Sequence, residues 1–225
     1  MYYFLTGPFL WLSFGVFFVG LVVRAVIYIK GLDWKLDRVT YRVNVSYGVK
    51  GALRSIFFWL IPFGTRRWRT RPGMALLFFV FHFGLIVTPI FLLGHNIMLK
   101  QRWGIGWFTI PGVVADALTV AVIVTGLFLC LRRIALAEVR ILTTAYDYIL
   151  LAIAVAPFVT GFFATHQAPG YSFWLMAHII SAEIMLIAIP LTKMSHVVLF
   201  FFTRAQLGMD FGIKRGGMKS GGLAW

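Results

Sequence analysis

Long apolar stretches alternate with short polar ones along the whole chain. Five of them are long enough to cross the apolar core of a bilayer, which takes about 20 residues of helix. They lie near residues 8–29, 73–99, 108–131, 144–165 and 171–202. Because backbone polar groups cannot stay unpaired in lipid, each stretch is predicted to be a helix. The pattern predicts an all-α integral membrane protein, a bundle of five transmembrane helices forming one membrane domain over residues 1–225.

Composition supports insertion into a membrane. Hydrophobic residues make up 60% of the 225 residues, and charged residues only 12%. A soluble fold of this size could not bury so much apolar surface. The N-terminal sequence MYYFLTGPFLWLSFG has no basic region and no small-residue cleavage site, so the first stretch is expected to remain as a span. The single cysteine excludes a disulfide within the chain, and the lack of C-x-x-C-H argues against a covalently attached haem.

Lysine and arginine are distributed unevenly between the two sides of the predicted membrane. Ten lie in residues 30–72, three in residues 132–143 and four after residue 202, against Lys100 and Arg102 on the other side. Because basic loops tend to stay in the cytoplasm, the N-terminus is predicted outside and the C-terminus in the cytoplasm. The same rule accounts for the formal charge of +14, so no nucleic acid partner is expected.

The basic loop of residues 30–72 contains an apolar, aromatic segment, GALRSIFFWLIPFG. Basic residues flank this segment, which favours a helix lying at the cytoplasmic membrane surface. The alternative is a re-entrant or simply buried loop. The cytoplasmic tail, residues 203–225, is rich in glycine and polar residues, so it is expected to be extended and to be ordered only by a partner.

Four of the five histidines fall in two of the predicted spans. His82 and His95 lie in the second span; His178 and His196 lie in the fifth, which runs in the opposite direction. Matching their depths gives two pairs across the helices: His82 with His196, and His95 with His178. In one continuous helix, the step from His178 to His196 makes about five turns and puts both on one face. The step from His82 to His95 leaves about 220° beyond whole turns, so the pairing requires Pro89 to kink the helix.

Two imidazoles that face each other across two helices can fill both axial positions of a haem b. Two such pairs predict two haems b, one towards each membrane surface. The alternative is that the histidines only form hydrogen bonds between helices. A separation of about 20 Å or more along the helices, at 1.5 Å per residue, excludes one shared metal site. Small residues near the histidines are expected to make room for the porphyrin: Gly84, Gly94, Ala177, Ser181 and Ala182.

Three parts of the chain carry distinctive motifs, and two of them contain these histidines. In the fifth span, His178, Pro190, Lys193 and His196 form the pattern H-x11-P-x2-K-x2-H. The stretch LRRIALAEVRILTTAYD enters the fourth span, and the second span contains FHFG and LGHNIML. Together they resemble the di-haem cytochrome b family of respiratory nitrate reductase gamma subunits, which carries Arg or Lys at the place of Lys193. The resemblance covers about residues 73–202.

This resemblance implies that His82 and His196 hold the cytoplasmic-side haem and that His95 and His178 hold the outer one. It also implies that Lys193 pairs with a haem propionate; the alternative is a side chain that extends to the membrane interface. The long basic loop, the wide spacing of the second-span histidines, and the segments LIPFG and TPIFLLGHN are more similar to the cytochrome b subunits of sulfate-reducer transmembrane redox complexes (the Tmc and Dsr types).

The resemblance implies a multi-pass subunit of a respiratory redox complex in a bacterial inner membrane. Such a subunit passes electrons between a periplasmic cytochrome c or menaquinol and a cytoplasmic iron–sulfur subunit. In the sulfate-reducer complexes that partner resembles the iron–sulfur subunit of heterodisulfide reductase, and a periplasmic multihaem cytochrome c is a further expected partner. Two alternatives remain: a haem-free membrane anchor for a cytoplasmic redox enzyme, and a small proton or solute transporter.

Three further polar residues are candidates for quinone binding or proton transfer. His166, at the outer end of the fourth span, is either a quinone contact or proton acceptor, or a histidine of an interfacial loop. Glu183 lies deep in the fifth span, where it either relays protons or bonds to a neighbouring helix. Lys100 flanks the outer side and is a candidate contact for a propionate or a quinone.

Overall fold

The computed structural model of the protein describes residues 1–32 and 45–214. The sequence predictions for loop residues 33–44 and tail residues 215–225 lie outside this part of the chain. Within it, every regular element is a helix. In chain order they are α1 (Tyr2–Gly31), α2 (Val45–Leu60), α3 (Arg66–Thr70), α4 (Pro72–Phe91), α5 (Leu93–Trp103), α6 (Gly112–Ala135), α7 (Ala137–Arg140), α8 (Ala145–Thr165), α9 (Tyr171–Leu191), a 3-10 turn (Lys193–Ser195) and α10 (His196–Lys214).

Five of these helices are long and apolar enough to cross a membrane: α1, α4, α6, α8 and α9. The prediction of an all-α protein with five candidate spans is therefore confirmed. The first span begins earlier than predicted, because a π-helical turn at Leu5–Phe9 carries the helix through Pro8. The third begins later, at Gly112, because Pro111 precedes its first turn in a non-helical conformation.

The second span was predicted as one helix over residues 73–99, and this is wrong. Helix α4 ends at Phe91, Leu92 is extended, and α5 begins at Leu93. Pro89 weakens the last turn of α4, because proline has no N–H and its ring crowds the preceding turn. The interruption is thus a break that separates His82 from His95, rather than the kink expected at Pro89.

The fifth span, predicted over residues 171–202, is also interrupted. Helix α9 ends at Leu191, one residue after Pro190, and Thr192 is extended. The Thr192 hydroxyl accepts a hydrogen bond from the Met194 N–H and so starts the 3-10 turn that leads into α10. Because the chain breaks here, the helical phase of His178 does not reach His196. The prediction that five continuous turns put both on one face is therefore wrong.

An arginine in the first span satisfies the carbonyls at the end of α9. Arg24 donates from Nε to the Pro190 oxygen at 2.7 Å and from Nη2 to the Leu191 oxygen at 3.0 Å. The last carbonyls of a helix have no partner within the helix and form its negative end, so a cation is favoured there. Gly20, one turn earlier on α1, gives the room: a Cβ at this position would lie 2.6 Å from Pro190 Cβ.

The chain divides into two compact units, one of residues 1–10 and 76–185 and one of residues 11–75 and 186–225. In the first unit α6 packs against α8. Gly126 of α6 lies against Val155, and Gly84 of α4 lies against α6, where an added Cβ would meet Val122 at 2.6 Å. Gly84 therefore serves close helix packing, not the porphyrin space expected from the sequence.

In the second unit α2 packs along α10. The two backbones touch at Gly51 and Gly208: a Cβ on Gly51 would lie 2.4 Å from the Gly208 oxygen, and a Cβ on Gly208 would lie 2.7 Å from Ser55 Cβ. The helix predicted within residues 51–64 is confirmed, although it starts at Val45 and ends at Leu60. The tail is not extended directly after residue 202, because α10 continues to Lys214.

Gly51→Ala should destabilise the second unit, because the new methyl group would force α2 and α10 apart. Overpacking of this kind costs about 1–3 kcal/mol, which predicts a midpoint of thermal unfolding in detergent several degrees lower. Gly15→Ala is the matched control, since a Cβ at Gly15 in α1 meets no atom within 4 Å. Equal unfolding midpoints for the two variants would contradict the close packing at Gly51.

Candidate functional site

The structure brings His95 and His178 together in the first unit. The centres of their imidazole rings are 5.9 Å apart, and the ring planes differ by only 8°. Both side chains are partly buried. The two residues come from α5 and α9, which were expected to supply one histidine each at this level. His95 was paired with His178 because the two lie at matching depths in the predicted spans. The structure confirms that they are neighbours.

The break between α4 and α5 orients His95. Its Nδ1 donates to the Pro89 carbonyl oxygen at 2.8 Å. This carbonyl lies in the last turn of α4, where no further helical N–H is available to it. The histidine therefore replaces the missing helical partner, which joins the two helices across Leu92 and restricts rotation of its own ring.

A carbonyl on α8 orients His178 from across a helix contact. Its Nδ1 donates to the Pro157 oxygen at 2.9 Å. Gly161, one turn further along α8, lies beside the ring: a Cβ there would be 2.9 Å from both Cε1 and Nδ1 of His178. A further bond between α8 and α9 joins the hydroxyls of Thr160 and Ser181 at 3.2 Å. Ser181 therefore holds the helices together, in addition to being a small residue.

These hydrogen bonds determine which ring nitrogen can bind a metal. A carbonyl oxygen only accepts, so Nδ1 carries the proton in both His95 and His178. Nε2 of each neutral ring then keeps its lone pair. A histidine that ligates a metal usually donates its other N–H to a carbonyl or carboxylate, which fixes the ring and raises its basicity.

The spacing of the two rings fits two axial ligands of one iron. Imidazole–metal bonds are about 2 Å long, so adding two ring radii places the ring centres about 6 Å apart. The observed 5.9 Å agrees with that value. The same distance also lies within the range of offset contact between aromatic rings, which is the simple packing alternative. The residues present thus fit the iron of a haem b without requiring it.

His82 and His196 lie in different units of the chain. His82 on α4 bonds through Nδ1 to the Phe78 oxygen at 2.8 Å, and its ring lies 4.1 Å from the Phe78 ring. His196 is the first residue of α10, is exposed, and bonds through Nδ1 to the Lys193 oxygen at 3.0 Å. Their pairing stays a prediction.

The two lysines predicted as cofactor contacts have exposed side chains. Lys193 lies in the 3-10 turn between α9 and α10, next to the break at Thr192. Lys100 lies in the last turn of α5, five residues after His95. Their contacts with a propionate or a quinone remain predictions.

His166 directly follows the last residue of α8 and forms an ion pair with Asp116 of α6. The Nε2–Oδ2 distance is 3.4 Å, and both side chains are more than two-fifths exposed. Nδ1 of His166 bonds to the Phe162 oxygen at 2.9 Å. The pair links the end of α8 to the first turns of α6. Its predicted role with quinone or protons stays a prediction.

Glu183 is the most deeply buried acidic side chain among the described residues, with 1% of its surface exposed. Neither carboxyl oxygen has a hydrogen-bond partner. Of the two alternatives for Glu183, the hydrogen bond to a neighbouring helix is therefore absent, and proton relay stays a prediction. A buried carboxyl group without a hydrogen-bond partner is costly in a folded protein.

Two residues that position this region escaped the sequence reasoning. Arg24 was left unexplained inside the first span, although a charged residue at membrane depth is itself a signal of a buried partner. Nothing in the sequence around Gly161 indicates a role beside His178, apart from its position one turn after Pro157. Only the packing of α8 on α9 shows that Gly161 leaves room for the His178 ring.

Comparison of the chain with known proteins finds a relative of nearly the same length. No family model matches the chain. No solved structure matches it. The chain is 53% identical over 221 residues to a protein of Nitratidesulfovibrio vulgaris, and the match covers 98% of both chains. Identity at this level over nearly the full length of both proteins implies the same fold and common descent. The chain therefore belongs to the same family as this N. vulgaris protein.

Proposed function

We propose that the protein is a haem b-carrying membrane subunit that transfers electrons across the bilayer. His95 and His178 ligate one haem through Nε2, and His82 and His196 ligate the second. Bound haem supplies reversible one-electron oxidation and reduction of its iron. The subunit belongs to a respiratory redox complex, and its role is to hold, space and tune the two carriers.

One observation carries this proposal: two near-parallel imidazoles from separate helices at the spacing of axial ligands. Each ring is held by a backbone carbonyl that lies outside its own helical turn, at Pro89 or Pro157. Ordinary helical histidines bond to the carbonyl one turn back, as His82 and His166 do. The two non-local bonds set both rings before any cofactor binds, which lowers the entropic cost of ligation.

Residues around the His95–His178 pair make room for the rings and influence the reduction potential of a bound haem. Gly161 leaves the space that the His178 ring occupies. The carbonyl partners strengthen the ligands, and apolar helices exclude water, so both affect the reduction potential of a bound haem. Lys193 is assigned to a propionate of the second haem, since its backbone oxygen already bonds to His196.

The distribution of basic residues supports an orientation across the membrane with the N-terminus outside and the C-terminus in the cytoplasm. With the basic loop 30–72 inside, the His95–His178 pair lies towards the outer surface of a bacterial inner membrane. Electrons then pass between menaquinol or a periplasmic multihaem cytochrome c and a cytoplasmic iron–sulfur subunit resembling that of heterodisulfide reductase. Menaquinone is a candidate second cofactor, with His166 and Lys100 as its candidate contacts.

Glu183 supports a second function, proton transfer through a small transporter. A buried carboxyl without a hydrogen-bond partner can take up and release a proton in the membrane interior. A haem-free membrane anchor for a cytoplasmic redox enzyme would need neither Glu183 nor the paired histidines. Purification separates these functions, because only the electron-transfer subunit has b-type absorption bands after reduction.

Replacing His178 should remove the outer haem. The His178→Ala variant is expected to lose about half of the reduced b-type absorption and to bind one haem per chain. His166→Ala is the matched control, because His166 is also a histidine of the outer end but belongs to an exposed ion pair. It should keep both haems. Two haems per chain in His178→Ala, or none in the wild type, would refute the assignment.

Gly161→Ala should disturb the same haem without replacing a ligand. Its methyl group would lie 2.9 Å from the His178 ring, so the ring must rotate or move away. Redox titration should show a changed midpoint potential, or reduced occupancy, for one of the two haems. Gly112→Ala serves as control, because a Cβ at Gly112 meets no atom within 4 Å. Identical titrations for all three proteins would show that Gly161 does not position His178.

A further inference from the structure

The second unit has a basic and apolar surface that contains none of the histidines proposed as haem ligands. It consists of the outward face of α2 and the short helix α3, and is called here the α2–α3 surface. From Val45 to Ala75 the chain contains six basic residues and no acidic one. The basic residues are Lys50, Arg54, Arg66, Arg67, Arg69 and Arg71.

One side of α2 presents an unbroken apolar stripe. Its residues are spaced four or three apart, as on one helix face, and each is at least 46% exposed: Val45, Val49, Leu53, Phe57 and Leu60. The opposite side of α2, with Gly51 and Ser55, is buried against α10. The stripe therefore faces away from the rest of the second unit.

The arginines of α3 are held outward by a buried aromatic contact. Trp68 is buried and packs edge-to-face on Trp59 at 5.6 Å, and Arg204 of α10 lies over the Trp59 ring at 4.6 Å. The Thr65 hydroxyl caps α3 by accepting from the Trp68 N–H. With Trp68 turned inward, the arginines on either side of it are exposed: Arg66, Arg67 and Arg69.

The surface lies where membrane spans begin and end. Arg71 directly precedes Pro72, the first residue of the span α4. Tyr28, in the last turn of the span α1, hydrogen-bonds to Gln206 of α10, the helix on which α2 packs. The chain connection at Arg71 places α3 beside the start of one span, and the packing of α2 on α10 places α2 beside the end of another. Both helices are thus expected at the level of the lipid headgroups, where basic clusters next to a span attract anionic lipid.

We propose that the α2–α3 surface binds anionic phospholipid. The apolar stripe of α2 enters the upper acyl region, and the guanidinium groups of α3 bind headgroup phosphates. Arginine suits phosphate because its planar fork can donate two parallel hydrogen bonds. An acidic protein would match the arginines but not the exposed apolar stripe, whereas a lipid surface matches both. This proposal does not depend on haem.

Native mass spectrometry of the full chain in detergent, with added phosphatidylglycerol or phosphatidylcholine, tests the proposal. The wild type should retain phosphatidylglycerol selectively, and less of it at high salt. The triple variant Arg66→Gln, Arg67→Gln, Arg69→Gln should bind phosphatidylglycerol about tenfold more weakly or worse. Arg132→Gln, Arg133→Gln, Arg140→Gln removes the same charge near another span and should bind as the wild type does.

A depth measurement covers the case in which the triple variant does not fold. A nitroxide at Phe57→Cys, in a Cys130→Ser background, should be relaxed mainly by oxygen dissolved in lipid. A nitroxide at Arg67→Cys should be relaxed mainly by a water-soluble nickel complex. Unchanged phosphatidylglycerol binding in the triple variant would overturn the proposal and leave the arginines to an acidic protein partner. Equal aqueous exposure of both labels would overturn it as well.

Discussion

Backbone carbonyls freed at two helix breaks need hydrogen-bond donors, and much of the structure depends on how they find them. Water is absent from the apolar part of a bilayer, so an unpaired carbonyl there costs several kcal/mol. At the first break His95 donates to Pro89. At the second, Arg24 donates to Pro190 and Leu191. In both places a side chain replaces a missing helical N–H, and this fixes the side chain as much as the backbone.

The first break also explains how His95 reaches His178. On a straight helix His82 and His95 would point to nearly opposite sides. The extended residue Leu92 resets the direction of the chain, and the bond to Pro89 then holds the ring. His178 is held in a similar way by Pro157, with Gly161 leaving space beside it. At both histidines a proline thus acts through its carbonyl oxygen, in addition to its better-known effect on the helix.

Some of this could be predicted from the sequence, because hydrophobic length alone identifies spans. The five spans, the helix within residues 51–64 and the neighbours His95 and His178 follow from apolar runs and from depth. The breaks at Leu92 and Thr192 do not follow, since proline within a span is compatible with a kink or a break. A break needs side-chain donors such as His95 and Arg24 close to the freed carbonyls. Their positions are known only from the packed structure. Gly84 was misassigned for the same reason, because a small residue leaves room for a cofactor or for a helix alike.

The two units carry different chemistry. The first holds the imidazole pair, the buried Glu183 and the ion pair of His166 with Asp116. The second holds the close crossing of α2 with α10 and the exposed arginines of α3. The proposed electron transfer requires rigid ligands, and in the first unit non-local hydrogen bonds hold the His95 and His178 rings. A subunit that works at a membrane surface requires contact with headgroups, which the second unit can provide.

The central claim is that His95 and His178 bind one iron with nearly parallel ring planes. Low-temperature electron paramagnetic resonance of the oxidised protein tests it directly. Parallel imidazoles interact with the same iron d orbital and split it from its partner, so the account predicts that one haem of the wild type gives a rhombic low-spin ferric signal. Replacing His95 by alanine should remove this signal and leave the low-spin signal of the second haem. A low-spin spectrum that is unchanged by this replacement, or a protein without any low-spin ferric haem, would contradict the account.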